Sequence, residues 1–472
     1  MSYERLSAQD AMFLHIEDDH QPMHVGSLAM FDGAPFFDES GRFRLDEARA
    51  LIAGRLHLVP RFRKRLMTVP FDQGRPVWVD DDGFDLAYHV RLTALPRPGS
   101  EEQLKALMGR VQAQKLDRRR PLWELWFVEG VAGDRVAIIQ KTHHCLVDGI
   151  SGVDVATVLL DLEPTPPVIE AEPWDPEPPP SPAQLLVESV VERVTDPVEA
   201  ARSLRAALRG PKQLADRAAA VGRALTTATA APAPRAPWNE PITPHRRFEM
   251  ARVPFDGVRS LKDRAAGLAV EGERITVNDV VVAACAGALR TYLQSREVPV
   301  DGLVLRAMVP VSVRSEAERG TLGNRVSMMV ADLPVGEPDP AERLRGVHAS
   351  IRSARESGQA LGAQTIISML DYAPPTLVSM ASRLTVRSRA VNLTITNVPG
   401  PQFPLYCAGA RMLEAFPYVP IVDGQGLTIG IVSYDGQLSF GLTGDRDLLP
   451  DLAVLGEGVE KAFTELAEAV NR

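Results

Sequence analysis

The sequence is poor in cysteine. Its 472 residues include only Cys145, Cys285 and Cys407, which lie far apart in the chain. An odd number of widely spaced cysteines does not indicate a disulfide framework, and it fits a reducing compartment better than an oxidising one. We therefore expect a cytoplasmic protein.

The sequence also lacks long apolar runs and an excess of positive charge. No window approaches the ~18 consecutive apolar residues of a membrane-spanning helix. The opening stretch, MSYERLSAQDAMFLHIEDD, has neither the basic segment nor the apolar segment of a secretory signal peptide. The formal net charge of -9 argues against a nucleic-acid partner, because phosphate binding needs a basic face. Any contact with lipid is expected to be peripheral.

The composition that is present, 45% hydrophobic and 24% charged, is typical of a folded soluble protein. The length predicts two domains, and a proline-rich stretch, EPTPPVIEAEPWDPEPPPSP, gives the clearest break because proline cannot continue a helix or sheet. We therefore divide the chain into an N-terminal half (1–162), a linker and helical connector (163–240) and a C-terminal half (241–472).

The helical connector carries several basic residues among alanines and leucines. They are Arg202, Arg205, Arg209, Lys212, Arg217 and Arg223. A basic amphipathic helix can lie on an anionic lipid surface. The same pattern also fits a structural brace between the two halves.

Both halves show strand and helix signals in irregular alternation. WELWFVEG and RVAIIQKTHH predict a hairpin, and SYDGQLSF predicts a two-residue turn between strands. TVNDVVVAACAGALRTYL predicts an apolar helix opened by a capping Thr or Asn. The pattern indicates an α/β (α+β) protein with two sandwich domains of similar build.

The stretch most informative about chemistry is KTHHCLVDGISG, which places two histidines at the end of a buried strand. A metal site is disfavoured, since adjacent imidazoles rarely chelate one ion and no further ligand lies at the right spacing. Asp148, in a turn with Gly149, could fix the loop or orient the His144 ring. A neutral histidine can exchange a proton near neutral pH, so the pattern leaves catalysis and a structural role open.

HHCLVDGISG resembles the HHxxxDG motif of the CoA-dependent acyltransferase superfamily, which includes chloramphenicol acetyltransferase and peptide-synthetase condensation domains. Further blocks resemble the bacterial wax ester synthase/acyl-CoA:diacylglycerol acyltransferases. They are LSAQDAMFLHIEDDHQPMHVGSLAMF, PLWELWFVEGVAGDRVAIIQKTHH, NDVVVAACAGALR, PVSVRS followed by LGNRVSMMVADLP, NLTITNVPGP and SYDGQLSFGL. The resemblance covers nearly the whole chain except about 163–240.

This resemblance implies two chloramphenicol-acetyltransferase-like domains with an active-site channel between them. It also implies transfer of a long-chain acyl group from acyl-CoA to the hydroxyl of diacylglycerol or a fatty alcohol, in triacylglycerol or wax ester synthesis. Acyl-CoA would be a substrate, with no further cofactor and no metal. Because the products are insoluble in water, the acceptor is expected from a membrane or lipid-droplet surface.

By the same resemblance, His144 is the general base. His143 orients the loop, donates a hydrogen bond to the substrate or has a structural role. Asp148 is a salt-bridge partner of an unidentified arginine, beside Gly149. No acyl-enzyme is required, and Cys145 is expected to be a small buried apolar residue.

The motif that corresponds to the family's ND pair is Asn278 and Asp279. Asn278 either donates a hydrogen bond to the oxyanion or caps the following helix. Asn397 either shapes the channel or ends a strand. Two basic segments, 61–66 and 116–121, either hold the CoA phosphates or are solvated surface.

Two competing functions stay open from the sequence. One is a condensation-type acyltransferase that uses carrier-bound acyl groups. The other is a non-catalytic lipid-binding protein that keeps the fold.

Overall fold

The computed structural model of the chain describes residues 3–147, 159–165, 169–189, 191, 232–269, 273–312, 326–356 and 390–471. The predictions made for Asp148, Gly149 and the basic residues of the connector lie outside these residues.

Fifteen strands form the sheets of the described residues. They are β1 (Glu4–Arg5), β2 (His24–Asp32), β3 (Lys64–Met67), β4 (Val77–Asp80), β5 (Val90–Ala94), β6 (Trp123–Val131), β7 (Arg135–His143), β8 (Arg246–Pro254), β9 (Leu305–Ser312), β10 (Val326–Leu333), β11 (Leu393–Pro399), β12 (Tyr406–Cys407), β13 (Ala410–Tyr418), β14 (Leu427–Tyr434) and β15 (Gln437–Asp445).

The helices pack against these sheets. They are α1 (Ala8–Ile16), α2 (Leu45–Ala53), α3 (Leu86–His89), α4 (Glu101–Ala113), α5 (His144–Val147), α6 (Phe255–Arg264), α7 (Val277–Ser295), α8 (Pro340–Glu356) and α9 (Leu452–Val470), with a further helical segment over 182–189.

Two six-stranded sheets dominate the described structure. The N-terminal sheet has the order β12-β13-β2-β7-β6-β5 and the C-terminal sheet the order β10-β9-β11-β14-β15-β8. A small sheet, β1-β4-β3, flanks the first. The predicted α/β class with two sheet-containing domains is confirmed.

A strand from late in the chain completes the N-terminal sheet. β13 pairs antiparallel with β2, so that Tyr418 lies opposite Gly26 and Phe416 opposite Leu28. The sequence-based division assigns these residues to the C-terminal half by position alone. Nothing local in the sequence of β13 indicates its partner, because pairing depends on which sheet edge is free when the chain folds.

The two predicted hairpins are present. β6 and β7 pair antiparallel across a three-residue connection, and β14 and β15 pair across Asp435 and Gly436. Both turn residues have positive φ, 42° and 82°, which is the geometry that an Asp-Gly turn supplies between twisted strands. Turn chemistry is local, and for that reason it could be read from the sequence.

Helix α7 lies at the centre of the C-terminal core. Apolar side chains cover most of its surface, and it packs against α8 and α9 above the sheet. Thr276 is its N-cap residue: its hydroxyl accepts from the backbone N–H of Asp279, whose carboxylate accepts in return from the Thr276 N–H. The predicted helix and its Thr cap are confirmed.

Charged groups join the two halves where α4 packs against β8. Arg252 on β8 forms ion pairs with Glu101 of α4, at 3.0 Å, and with Glu414 of β13, at 2.7 Å. Lys105 and Glu249 form another pair at 2.6 Å. These contacts fix the edge of the C-terminal sheet against the N-terminal half.

The described part of the proline-rich linker has no regular structure over 169–181, as predicted. It is nevertheless attached to the N-terminal half. The indole N–H of Trp174 donates to the carbonyl of Asp81 at 2.9 Å, and the Arg63 guanidinium lies 4.1 Å from the Trp174 ring centre.

Candidate active site

The two histidines lie on either side of a junction between a strand and a helical turn. β7 ends at His143 and α5 begins at His144. The His143 N–H donates to the carbonyl of Leu122, and the His144 N–H to that of Met23. His143 is fully buried, whereas His144 is only half-buried. The change of backbone direction thus gives the two neighbouring rings different access to solvent.

The His143 ring is held on both sides. The backbone N–H of Cys145 donates to its Nδ1 at 3.1 Å, so Nδ1 acts as an acceptor. In the neutral ring the proton is then on Nε2, which lies 3.4 Å from a carboxylate oxygen of Glu17. A ring with this placement can hold the junction in shape but has no open face for a substrate.

Glu17 is a residue of the histidine junction that sequence reasoning did not single out. It follows α1 directly, and its side chain is 1% exposed. Its carboxylate lies 3.7 Å from His24 and 2.7 Å from Arg118, and it accepts from the Met23 N–H at 3.2 Å. Glu17 is the first of three consecutive acidic residues, and nothing in that local pattern distinguishes it, because its partners are distant in the chain.

The charge state of Glu17 follows from these contacts. Burial by itself would raise the pKa of its carboxyl group. The interactions with His143 and the hydrogen bond from Arg118 outweigh burial and hold the pKa well below its usual range. The site therefore contains a buried carboxylate that stays ionised.

His24 and Lys141 complete the buried polar group. His24 lies opposite His143 in the β2–β7 pairing, and the Leu116 N–H donates to its Nε2 at 3.4 Å. Burial, and next the charge of Lys141, keep the pKa of His24 well below its usual value. Burial also lowers the pKa of Lys141 to about 8, although Glu124 lies 3.9 Å from its ammonium group.

His144 has a different environment. Its ring stacks on Phe13 of α1, with the ring centres 3.8 Å apart and the planes inclined by 18°. Helix α1 packs along α5, so the N-terminal block of the sequence forms one wall beside this histidine. The stack sets the orientation of the imidazole while part of the side chain stays accessible.

Cys145 is unsuited to nucleophilic chemistry. It is fully buried in the N-terminal core, and burial raises the pKa of its thiol well above the usual value. A reactive cysteine needs a stabilised thiolate and access to substrate. The expectation of a small buried apolar residue is confirmed.

The ND pair lies at the start of α7. Asn278 is the second residue of the helix and is half-buried, and the capping side chain is that of Thr276. The alternative that Asn278 caps the helix is therefore wrong, because the cap lies two residues earlier. The Asp279 carboxylate accepts from Thr276 Oγ1 at 2.8 Å and lies 3.1 Å from Nδ1 of His348, a buried residue of α8.

The remaining candidates are placed as follows. Asn397 lies half-buried near the end of β11, opposite Ile431 of the parallel strand β14. In the two basic segments, several cations already form ion pairs with carboxylates of the fold. These pairs are Arg61 with Glu4, Lys64 with Asp80, Arg65 with Asp81, Arg118 with Glu17 and Arg119 with Asp117. This pairing favours a structural role for those cations.

Within the described ranges, no group of three or more His, Cys, Asp and Glu side chains is placed to hold a metal ion. None of the helices in those ranges combines the length and hydrophobicity needed to cross a bilayer.

Two models of one known family match successive parts of the chain. The model of the wax ester synthase/diacylglycerol acyltransferase catalytic domain matches residues 6–281. The model of the C-terminal domain of the same family matches residues 322–467. Together they cover most of the chain, including the histidine junction and the ND pair.

Curated relatives extend along the whole length. The probable diacylglycerol O-acyltransferase tgs2 of Mycobacterium tuberculosis is 36% identical over 468 residues, covering 98% of each chain. The probable diacylglycerol O-acyltransferase tgs1 of the same organism is 34% identical over 477 residues, covering 99% of this chain and 96% of the relative.

Solved structures agree. The wax ester synthase/diacylglycerol acyltransferase from Marinobacter aquaeolei VT8 superposes with a TM-score of 0.68 at 28% identity, covering 99% of this chain and 100% of that one. The first condensation domain of the calcium-dependent antibiotic synthetase superposes with a TM-score of 0.59 at 18% identity, covering 100% and 96%. The second likeness concerns the fold alone.

Proposed function

This chain belongs to the wax ester synthase/diacylglycerol acyltransferase family and is an O-acyltransferase, and we propose that it transfers a long-chain acyl group from acyl-CoA to a hydroxyl group. The acceptor is diacylglycerol or a long-chain alcohol, and the product is triacylglycerol or wax ester. Acyl-CoA is a substrate, and no further cofactor takes part.

The observation that carries the mechanism is the unequal burial of the two histidines. His143 is enclosed between the Cys145 N–H and Glu17, whereas the half-buried His144 ring rests on Phe13. A general base must reach the proton that it removes, so His144 takes this role. His143 and Glu17 position the junction from which His144 extends.

The reaction then runs in two steps. His144 removes the proton from the acceptor hydroxyl while its oxygen attacks the thioester carbonyl, which forms a tetrahedral intermediate. The C–S bond breaks as the carbonyl re-forms, and the imidazolium returns the proton to the CoA thiolate. Such acid–base catalysis is worth about 10²–10⁴ in rate. The inaccessible thiol of Cys145 supports direct transfer without an acyl-enzyme.

Other residues stabilise or shape the site in this proposal. The Asn278 side chain, at the N-terminus of α7, donates to the oxyanion, and the helix dipole adds to that stabilisation. Asp279 fixes the first turn of α7. Asn397 lines the channel from the C-terminal sheet. Asp148 and Gly149 hold the loop after α5.

The acceptor is delivered at a membrane or lipid-droplet surface by a cytoplasmic enzyme that binds the surface peripherally. The basic connector supplies the attraction to anionic lipid. Loss of flotation with anionic vesicles on deletion of 200–225, with retained activity on a detergent-dispersed acceptor, supports this arrangement. Unchanged flotation contradicts it.

The test of the reaction uses the purified chain with palmitoyl-CoA and either hexadecanol or dioleoylglycerol. Release of free thiol reports transfer, and chromatography of the lipid product identifies the ester. His144→Ala is expected to lose at least about 10²-fold in kcat. Competition between the two acceptors in one vessel establishes the preference.

His143→Gln serves as the matched control. Its ring is replaced by an amide at a buried position, so we expect lower stability but measurable turnover. Normal turnover by a folded His144→Ala variant contradicts the general-base role. Acyl transfer only from a carrier-bound thioester points to a condensation-type enzyme instead, and no transfer at all points to a lipid-binding protein.

A further inference from the structure

A buried pair of an aspartate and a histidine joins α8 to the first turn of α7. Nδ1 of His348, midway along α8, lies 3.1 Å from Oδ2 of Asp279, the third residue of α7. The two side chains are 5% and 2% exposed. They are 69 positions apart in the chain, so no local pattern of the sequence indicates their contact.

Three donors converge on this carboxylate oxygen. Besides the His348 ring, the backbone N–H and the hydroxyl of Thr276 each donate to Oδ2 of Asp279 at 2.8 Å. An ionised carboxylate can only accept hydrogen bonds, so Nδ1 of His348 must carry the proton of this contact. The contact therefore fixes which nitrogen of the His348 ring is protonated.

The helix cap by itself does not require a histidine. In α4 the same reciprocal box joins Ser100 to Gln103, a half-buried residue with a neutral side chain. In α7 the corresponding position holds Asp279, whose carboxyl group is buried. Burial of a carboxylate is costly unless donors surround it. His348 supplies a donor that comes from outside α7 and its cap.

The surroundings of His348 are mainly apolar. Its neighbours on α8, Leu344, Val347 and Ile351, belong to the same core cluster as the first turns of α7. Nε2 of His348 is buried and has no hydrogen-bond partner among the residues that the structure describes. In such a core, an imidazole with one unpaired nitrogen costs more free energy than an apolar side chain of similar size. The contact with Asp279 is what the histidine provides in return.

We propose that His348 is a positioning residue of acyl transfer, which acts through Asp279 on the first turn of α7. Asn278 directly precedes Asp279, and this inference rests on the proposed role of Asn278 as a donor to the oxyanion. Such a donor is effective only if it is oriented before charge develops on the substrate. Thr276 holds the Asp279 carboxylate from the N-cap and His348 holds it from α8, so two elements of the fold fix the backbone next to Asn278.

The first test separates the two nitrogens of the His348 ring. The amide nitrogen of an asparagine side chain takes about the place of Nδ1, and that of a glutamine about the place of Nε2. We therefore expect His348→Asn to keep a donor for Asp279 and most of kcat. His348→Gln and His348→Leu are expected to lower kcat about tenfold, with KM within about twofold, because a donor to a charged group is lost. Rescue by glutamine and not by asparagine contradicts the proposal.

Val347→Ala is the matched control for loss of stability. Val347 is a fully buried neighbour on α8, and its truncation leaves a cavity in the same core. We expect the melting temperature to fall, as for His348→Leu, while kcat stays normal. Equal losses of kcat in the two folded variants would show that His348 only stabilises the fold, which contradicts the proposal.

A double variant with Asn278→Ala separates the positioning role from the oxyanion role. If His348 acts through Asn278, kcat of the double variant Asn278→Ala/His348→Leu equals that of Asn278→Ala alone. Additive losses contradict the positioning role and leave the oxyanion role of Asn278 intact. A normal kcat for Asn278→Ala overturns the oxyanion role, and the positioning role with it.

The contact between the two side chains can be tested without turnover. The ¹⁵N spectrum of the histidine-labelled full chain, with His348→Asn to assign the ring, is expected to show a proton on Nδ1. A ring protonated only on Nε2 contradicts the proposal, whatever the activity of the enzyme. A proton on Nδ1 in a chain that transfers no acyl group refutes the proposed function, and with it the positioning role, while the contact stands.

Discussion

Nε2 of His143 lies 3.4 Å from Oε1 of Glu17, and both side chains are 1% exposed. This pair lies beneath the junction at which β7 becomes α5 and the accessible His144 begins. Arg118 holds the same carboxylate from the other side. The buried pair therefore holds in place the junction from which the proposed base, His144, extends.

Glu17→Gln is expected to lower the free energy of unfolding by about 3 kcal/mol. The amide keeps the shape of the side chain but leaves the buried charge of Arg118 and the His143 ring without their partner. Chemical denaturation measures the change. Glu47→Gln is the control, since that carboxylate is 68% exposed and its pair with Arg44 contributes less than about 1 kcal/mol. Equal midpoints for both variants would show that Glu17 does not support the junction.

Lys141→Met is expected to stabilise the protein at pH 7, and the gain is expected to disappear at high pH. The pKa of Lys141 is about 8 in the folded protein and about 10.5 in the unfolded chain. The unfolded chain therefore binds the proton more tightly, and the wild-type protein is penalised below pH 8 but not above about 10.5. The difference between these two pKa values corresponds to a change of at most about 3 kcal/mol in the free energy of unfolding.

Denaturation midpoints of wild type and Lys141→Met at pH 7, 8.5 and 10 test this expectation. The exposed Lys115, replaced by Met, is the control for a general loss of one positive charge. A difference between wild type and Lys141→Met that does not change across this pH range would show that the ammonium group of Lys141 is not destabilised by burial.

Cys145→Ala is expected to keep most of its transferase activity. Because the thiol is fully buried and its pKa is raised, we expect it to take no part in acyl transfer. The small cavity left by sulfur is expected to cost about 1 kcal/mol of stability. Thiol release from palmitoyl-CoA measures the activity, and loss of turnover in a folded Cys145→Ala variant would contradict direct transfer.

Arg252→Met is expected to loosen the contact between the two halves. The guanidinium bridges Glu101 and Glu414. Burial by itself would lower the pKa of Arg252, but these two carboxylates raise it. Because the group is partly exposed, we expect a loss of about 1–2 kcal/mol in unfolding free energy. Arg259→Met, at a more exposed pair with Asp256, is the control and should change stability little.

Thr276→Ala is expected to affect both stability and turnover. It removes the N-cap of α7, which costs about 1 kcal/mol, and it releases the first turn that carries Asn278. If Asn278 stabilises the oxyanion, kcat falls while KM changes little.

Ser100→Ala provides the comparison for Thr276→Ala. Ser100 caps α4 with the same reciprocal arrangement but lies in the N-terminal half. We expect a similar loss of stability with normal kcat. Equal kcat values for the two variants would indicate that the start of α7 does not contribute to the reaction.

The fold was predictable from the sequence wherever the determining interaction is local. The Asp435-Gly436 turn, the β6–β7 hairpin and the helix α7 follow from turn residues, strand alternation and a polar capping residue before an apolar run, which act over a few residues. The HHxxxDG motif and its flanking blocks identified the family for the same reason, since each block is a short continuous string.

The pairing of β13 with β2 and the contacts of Arg252 were not predictable in this way. Each depends on which surfaces meet after the elements have formed, and many partners are compatible with the same local pattern. The N-cap of α7 is an example of a feature that the sequence could not decide. The sequence offered Thr276 or Asn278, and only the backbone geometry selected Thr276.

The amino-acid sequence by itself determined the family, the α/β class and the two histidines as the candidate site. The tertiary structure decided which histidine is accessible, and it brought Glu17, Arg118 and His143 together from distant parts of the chain. The physical reason is that burial and charge pairing are properties of the assembled core. A histidine acquires its role from the groups around it, and those groups are chosen only when the chain folds.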